Sequence, residues 1–140
     1  MRVLLDTCVL AEIRHPQGNP EVKDRVSAFA EDSLFLSVLT VGEIHKGIVL
    51  LKAGPKQREL SDWLLGLETH FGSRILGVDG EVARLWGQLT ARAQTDGIVV
   101  SAADGLIAAT ALRHGLCVVT RNTRHFAATG AQILDPWIEP

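Results

Sequence analysis

The sequence predicts an α/β fold, a central parallel sheet with helices on both faces. Short unbroken apolar runs such as Leu34-Phe35-Leu36 and Leu116-Cys117-Val118-Val119 read as strands covered on both sides, because a strand with one wet face alternates instead. Stretches of helical spacing separate these runs, and strands alternating with helices imply right-handed parallel crossovers. Acids stand where strands or loops give way to helices: Asp6 after Leu4-Leu5, Glu43 in Ser37-Val38-Leu39-Thr40-Val41-Gly42-Glu43-Ile44, and Asp104 in Ala102-Ala103-Asp104-Gly105.

Arg2-Val3-Leu4-Leu5 is the first strand. A helix follows from Thr7 to Arg14 and stops at His15-Pro16 and the Gly18-Asn19-Pro20 loop, since proline and glycine break helices. Pro20 suits the first position of a second helix, which the stripe Val22, Val26, Phe29 and Ala30 carries to Glu31. Leu34 to Ser37 is the second strand. Thr40 is expected to open a helix to Lys52, Gly54-Pro55 to break it, and a further helix to cover Lys56 to His70. Ile75 to Val78 is the third strand. Asp79 caps a helix from Gly80 to Thr95, with Val82, Leu85, Trp86, Leu89 and Ala93 on its core face. Ser101 opens a helix that ends at His114-Gly115, with glycine just past the end. Leu116 to Val119, a turn over His125 to Ala128 and a last strand over Gln132 to Leu134 precede the tail Asp135-Pro136-Trp137.

The chain has 140 residues, 46% apolar and 21% charged. This fits one domain spanning 1–140, which buries roughly 68–70% of its unfolded surface. No apolar run approaches the ~18 residues of a membrane span. Asp6 and Glu12 interrupt the apolar start after Arg2, which excludes a secretion signal. Cys8 and Cys117 make neither a disulfide framework nor a zinc ribbon, and suit the cytoplasm. The five histidines lack metalloprotease spacing, and the net charge of −2 offers nucleic acid no general attraction. Any RNA or DNA would need a local basic face.

Thr40-x-x-Glu43 and Ser101-x-x-Asp104 both fit a capping box, and Asp6 also suits a cap. Each acid alone is open to that reading. Capping does not require three such acids in segments that a parallel sheet brings together at its carboxyl end, where ligands of open sheets bind. Two carboxylates ~4 Å apart repel by about 4 kcal/mol at an effective dielectric of ~20. A shared crevice therefore calls for a proton or a cation, and all-oxygen donors favour Mg²⁺ or Mn²⁺ over zinc. A metal-dependent phosphodiesterase is the chemistry expected.

These three segments, with Val118-Val119-Thr120-Arg121-Asn122 and Pro136-Trp137, resemble a PIN domain, most closely the VapC and FitB type of toxin ribonuclease, over essentially the whole chain. The resemblance implies an endoribonuclease toxin of a type II toxin–antitoxin pair. It implies Mg²⁺ or Mn²⁺ held by Asp6, Glu43 and Asp104, a small antitoxin partner, a homodimer, and promoter DNA bound through the antitoxin complex. The chain departs from the family in two ways. Cys8 stands where Asn is common after Asp-Thr, and the usual fourth acid is replaced by Asn122 or His125, depending on which position carries it. Asn122 offers an uncharged oxygen, and His125 is either a plain surface residue or a nitrogen donor suited to Mn²⁺, so the resemblance implies weakened binding of a second metal and leaves a PIN fold that only binds partners as an alternative.

Thr7 is a candidate to support the acids, and Arg121 and Arg124, with Arg113, are candidates for RNA phosphates. Lys46 is expected to pair with Glu43 along one helix face. Arg84, Gln88 and Arg92 read as a wet surface. Trp63, Trp86 and Trp137 read as core or dimer contacts, and Ile44, Ile48, Leu51, Leu60 and Leu64 as an apolar face for core or partner. Leu4-Leu5-Asp6-Thr7 is also similar to the start of a haloacid-dehalogenase-like phosphatase, but that family needs an acid at Cys8. A phospho-receiver needs a lysine after a late strand, where this chain has Thr120-Arg121-Asn122.

Overall fold

Five strands, β1 (Val3–Leu5), β2 (Leu34–Ser37), β3 (Ile75–Leu76), β4 (Cys117–Val119) and β5 (Ile133–Leu134), pair in parallel in the order β3-β2-β1-β4-β5. This is the arrangement of the computed structural model, which describes residues 1–138. The chain builds outward from β1 to one edge, then returns to the other side through β4. Strand order therefore reverses between β1 and β4, the place where open parallel sheets form a ligand crevice.

The helices are α1 (Thr7–Arg14), α2 (Pro20–Ser27), α3 (Val38–Val49), α4 (Pro55–Phe71), α5 (Gly80–Thr95), α6 (Ala102–His114) and α7 (Thr123–Phe126). Alternation along β1 divides them. Val3 and Leu5 face a core with Val9, Leu10, Val22, Val26 and Phe71, from α1, α2 and α4. Leu4 faces the opposite core with Val82, Leu89, Ile107, Ala108 and Phe126, from α5, α6 and α7. Burial of both faces explains the unbroken apolar strands. Small residues let α6 approach closely: a Cβ on Gly105 would lie 2.9 Å from Trp86 Cδ1 and 3.0 Å from Trp86 Nε1.

Several expected boundaries move. α2 stops at Ser27, and a separate 3-10 turn covers Glu31–Ser33. β3 is only Ile75–Leu76. The helical turn starts earlier, at Thr123, and a 3-10 turn over Ala127–Thr129 follows it. The larger correction is in α3. Its cap is Ser37, whose hydroxyl accepts from Leu39 N at 3.0 Å, and not Thr40. A hydroxyl at the last extended residue of β2 reaches the orphan N–H groups first. Thr40 instead lies fully buried inside the helix, its Oγ1 without a partner. α3 also ends at Val49 rather than Lys52. Asp79 and Ser101 cap as expected, accepting from Val82 N at 2.9 Å and Asp104 N at 3.2 Å. Ile48 and Leu64 are buried and Ile44 packs against the core of the α1–α2 face, while Leu60 is half-buried and Leu51 exposed. Among the described residues, no helix is long and apolar enough to cross a membrane.

Candidate functional site

Asp6 ends β1 and caps α1 in one step. Its backbone N–H continues the sheet by donating to Val119 O at 3.0 Å. Its Oδ1 accepts from Thr7 N at 2.9 Å, and its Oδ2 from Thr120 Oγ1 at 2.8 Å. The carboxylate is 7% exposed, so these bonds replace much of its water. Asp6 caps α1 through one oxygen while the other is fixed across the β1–β4 switch point.

Thr7, the next residue, donates its hydroxyl to Glu43 Oε1 at 3.0 Å. Glu43 lies in the second turn of α3, beyond the orphan N–H groups, so it caps nothing; the capping-box reading of Thr40-x-x-Glu43 falls with the shifted helix start. Among the described residues, Lys46 makes no ion pair with Glu43, whose Oε1 is bonded by Thr7 instead. Burial pushes the Glu43 carboxyl above its ordinary range, the Thr7 hydrogen bond opposes this, and the charges of Asp6 and Asp104 push it further up. Glu43 on α3 thus lies within the field of Asp6, at the end of β1, and of Asp104 on α6.

Asp104 stands at the third position of α6. Its N–H is held by Ser101 Oγ, while its carboxylate meets His125 Nδ1 at 3.5 Å. α7 is what brings His125 there: the turn Asn122–His125 closes by His125 N donating to Asn122 O at 3.0 Å. Asn122 is exposed beside it, its own N–H donating to Thr120 Oγ1 at 3.0 Å.

Two participants escaped the sequence reading. Thr120 is completely buried and serves both Asp6 and Asn122; a hydroxyl directly after an apolar strand, the counterpart of Asp6 after β1, was the available signal. Cys8 Sγ lies 3.8 Å from Asp6 Oδ2 and accepts from Arg121 N at 3.5 Å. Burial pushes its thiol pKa up, so it acts as a packed, weakly bonded group rather than a thiolate. Arg121, on the loop after β4, and Arg124, in α7, are both exposed. Arg113 does not join them: it sits at the far end of α6 and pairs with Glu81.

Among the described residues, no three His, Cys, Asp or Glu side chains stand close enough together to hold a metal ion. The donor types nonetheless suit a hard divalent cation: carboxylate oxygens from three elements, with the charges of Asp6 and Asp104 adding to the burial that raises Glu43.

The model of the PIN domain matches residues 3–131. Toxin FitB of Neisseria gonorrhoeae is 38% identical over 136 residues, covering 96% of this chain and 98% of that protein. VapC ribonuclease Y4jK of Sinorhizobium fredii is 35% identical over 136 residues, covering 96% and 97%. Among solved structures, FitAcB from Neisseria gonorrhoeae superposes with a TM-score of 0.92 at 38% identity, covering 98% of this chain and 99% of that one. FitAB bound to a DNA fragment gives 0.92 at 36% identity, covering 99% and 97%.

Proposed function

The chain belongs to the PIN-domain family, and from that premise we propose that it is a metal-dependent endoribonuclease, the toxin of a type II toxin–antitoxin pair. The observation that carries the reading is the link through Thr7, whose N–H donates to Asp6 and whose hydroxyl donates to Glu43, with burial first, and then the charges of Asp6 and Asp104, raising the Glu43 carboxyl. The names of the relatives, a toxin and a ribonuclease, agree with it.

On this reading Asp6, Glu43 and Asp104 hold Mg²⁺ or Mn²⁺, which supplies an activated water and neutralises charge on a phosphoryl oxygen. The residues of the chain do the positioning. Thr120 and the Thr7 N–H fix both oxygens of Asp6, so its carboxylate is oriented before any ligand arrives. The Thr7 hydroxyl holds one oxygen of Glu43 and leaves the other free. Asp104 reaches the same crevice from α6, and His125 stands against it where a fourth acid is usual in the family. Preorganised donors of this kind lower the reorganisation cost of binding. Residues 1–140 act as one domain. The partners are RNA as substrate, a small antitoxin, a second copy of the chain, and promoter DNA reached through the antitoxin complex, for which the FitAB assembly on DNA is the support. RNA and antitoxin both place the protein in the cytoplasm.

A second reading has its own observation: Asn122 and His125 leave the fourth position without a carboxylate, which favours a weakened enzyme that acts mainly by binding. One experiment separates the two. Purified protein is incubated with structured RNA in Mg²⁺, Mn²⁺ or EDTA, beside Asp6→Ala. Metal-dependent cleavage lost in the variant supports the nuclease. Equal cleavage by both proteins refutes the assigned site, and tight RNA or antitoxin binding without cleavage supports the binder.

A further inference from the structure

Four arginines stack on aromatic rings: Arg2 on Phe35, Arg14 on Trp63, Arg74 on Phe71, and Arg121 on Trp137. The first three also use their N–H groups. Arg2 donates to His114 O, Arg14 pairs with Glu59, and Arg74 donates to Glu31 O and Leu34 O. Arg121 differs. Its guanidinium lies 5.1 Å from the Trp137 ring centroid, yet among the described residues it makes no ion pair and no side-chain hydrogen bond. Among the described residues, an exposed cation at the acidic end of the sheet thus leaves its donors unused while its position is restrained.

The restraint comes from both sides. The backbone N–H of Arg121 donates to Cys8 Sγ at 3.5 Å, and Cys8 in turn contacts Asp6 Oδ2. Trp137 packs against the core on the α1–α2 face. Its backbone N–H donates to Asp135 Oδ1 at 2.9 Å, and the carbonyl of Pro136 accepts from Arg25 Nη1 at 2.6 Å. The indole is therefore a fixed platform. A planar guanidinium can stack on it and still present its fork of N–H groups to a phosphate. A chain with a net charge of −2 and several acids repels a polyanion, so a restrained cation on a residue whose backbone is joined through Cys8 to Asp6 offsets that repulsion where a phosphodiester has to approach.

We infer that Arg121 grips a backbone phosphate of single-stranded RNA next to Asp6, and that Trp137 is the positioning residue that holds it there. The inference rests on the nuclease reading and adds to it a substrate contact and its support.

The test uses the full chain carrying Glu43→Gln, so that RNA stays intact. Binding of a fluorescein-labelled single-stranded RNA oligonucleotide is followed by anisotropy across a salt series. Arg121→Ala should weaken binding roughly tenfold and flatten the log–log salt slope by about 0.7, the share of one phosphate contact on a single strand. Trp137→Leu should weaken binding as well, and should add little to Arg121→Ala when the two are combined. Trp137→Phe keeps a π face and should bind like the host. An Arg121→Ala slope equal to the host's overturns the inference, as does a Trp137→Leu effect fully additive with Arg121→Ala. Should Trp137→Leu fail to fold by circular dichroism, the Arg121→Ala slope and Trp137→Phe decide. If the unmutated chain cuts the same RNA while the Arg121→Ala slope is unchanged, this inference alone falls. If the unmutated chain neither binds nor cuts RNA, the nuclease reading falls with it.

Discussion

The Thr7 hydroxyl donates to Glu43 Oε1 across a gap of 36 residues in sequence. The residue next to Asp6 thereby holds the very carboxylate that Asp6 repels. The site is a compromise between attraction built into the fold and a repulsion left unrelieved, and its consequences are measurable.

Glu43→Gln is expected to abolish RNA cleavage and to raise thermal stability at neutral pH. The sign follows from the direction of the shift. The folded carboxyl titrates above its ordinary value of 4.5, so its ionisation costs stability above the folded pKa. That cost disappears as pH falls through the folded pKa towards the unfolded one. The stabilising effect of glutamine should be full at neutral pH and fade in acid. Each kcal/mol relieved would raise Tm by roughly 2–8 °C in a chain of this size. Thermal melts of both proteins at neutral pH and near pH 4 check it; a variant that melts lower than the parent at neutral pH contradicts the charge argument.

A divalent ion should do by binding what the glutamine does by substitution. Mn²⁺ or Mg²⁺ at about 100 times its Kd should stabilise the parent by about 2.7 kcal/mol, and EDTA should remove the gain together with the cleavage. In Asp6→Ala the same metal should shift Tm far less. Scanning calorimetry with and without metal gives the comparison, and an equal shift in both proteins would move the ion elsewhere.

Gly105→Ala tests the packing behind the site. A Cβ there would meet Trp86 Cδ1 at 2.9 Å and Thr90 Cγ2 at 3.1 Å, so α6 or the indole has to shift. Overpacking of this kind costs about 1–3 kcal/mol, read by urea denaturation. The contact atoms belong to the five-membered ring of Trp86, whose buried Nε1 has no hydrogen-bond partner. Trp86→Phe should therefore recover part of the loss in the double variant, a coupling expected only for residues in contact.

Asp79 gives the opposite pH behaviour to Glu43. Its hydrogen bond from Val82 N at the start of α5 is the main cause holding its carboxyl below the ordinary range, helped by the charge of Arg113. Its contribution to stability is present above the unfolded value of 3.8 and is lost as pH falls through the folded one. Asp79→Ala should be less stable than the parent at neutral pH, and the gap should narrow in strong acid. Asp79→Asn should retain most of the cap. Melting curves at neutral pH and near pH 2 would show the convergence or its absence.

The sequence displayed what is local. Unbroken apolar runs mark strands covered on both faces, and Asp6, Asp79 and Ser101 sit where caps belong. It misled at α3 because Ser37 and Thr40 are both good caps, and the choice depends on where β2 stops. It concealed what is long-range. The Thr120–Asp6 bond joins residues 114 apart, and the stacking of Arg121 on Trp137 depends on how the tail after β5 returns to the core. No spacing rule encodes either contact, because both arise only when β1, β4 and β5 are paired side by side.

His125 is the residue through which the missing acid can be judged. Its Nδ1 lies 3.5 Å from Asp104 Oδ2, close enough for a donor at this position to share a cation with Asp104. An imidazole suits Mn²⁺ better than Mg²⁺, whereas a carboxylate suits both. His125→Asp should therefore raise Mg²⁺-dependent cleavage and narrow the preference for Mn²⁺. The substitution also adds a negative charge beside Asp104, so without metal the variant should melt lower than the parent, and with metal the difference should shrink. Cleavage rates in each metal, paired with melts in EDTA, distinguish the cases. A rate in Mg²⁺ and a metal-dependent Tm both unchanged from the parent would place His125 outside the reach of the ion and leave Asp6, Glu43 and Asp104 to hold it without a fourth side chain.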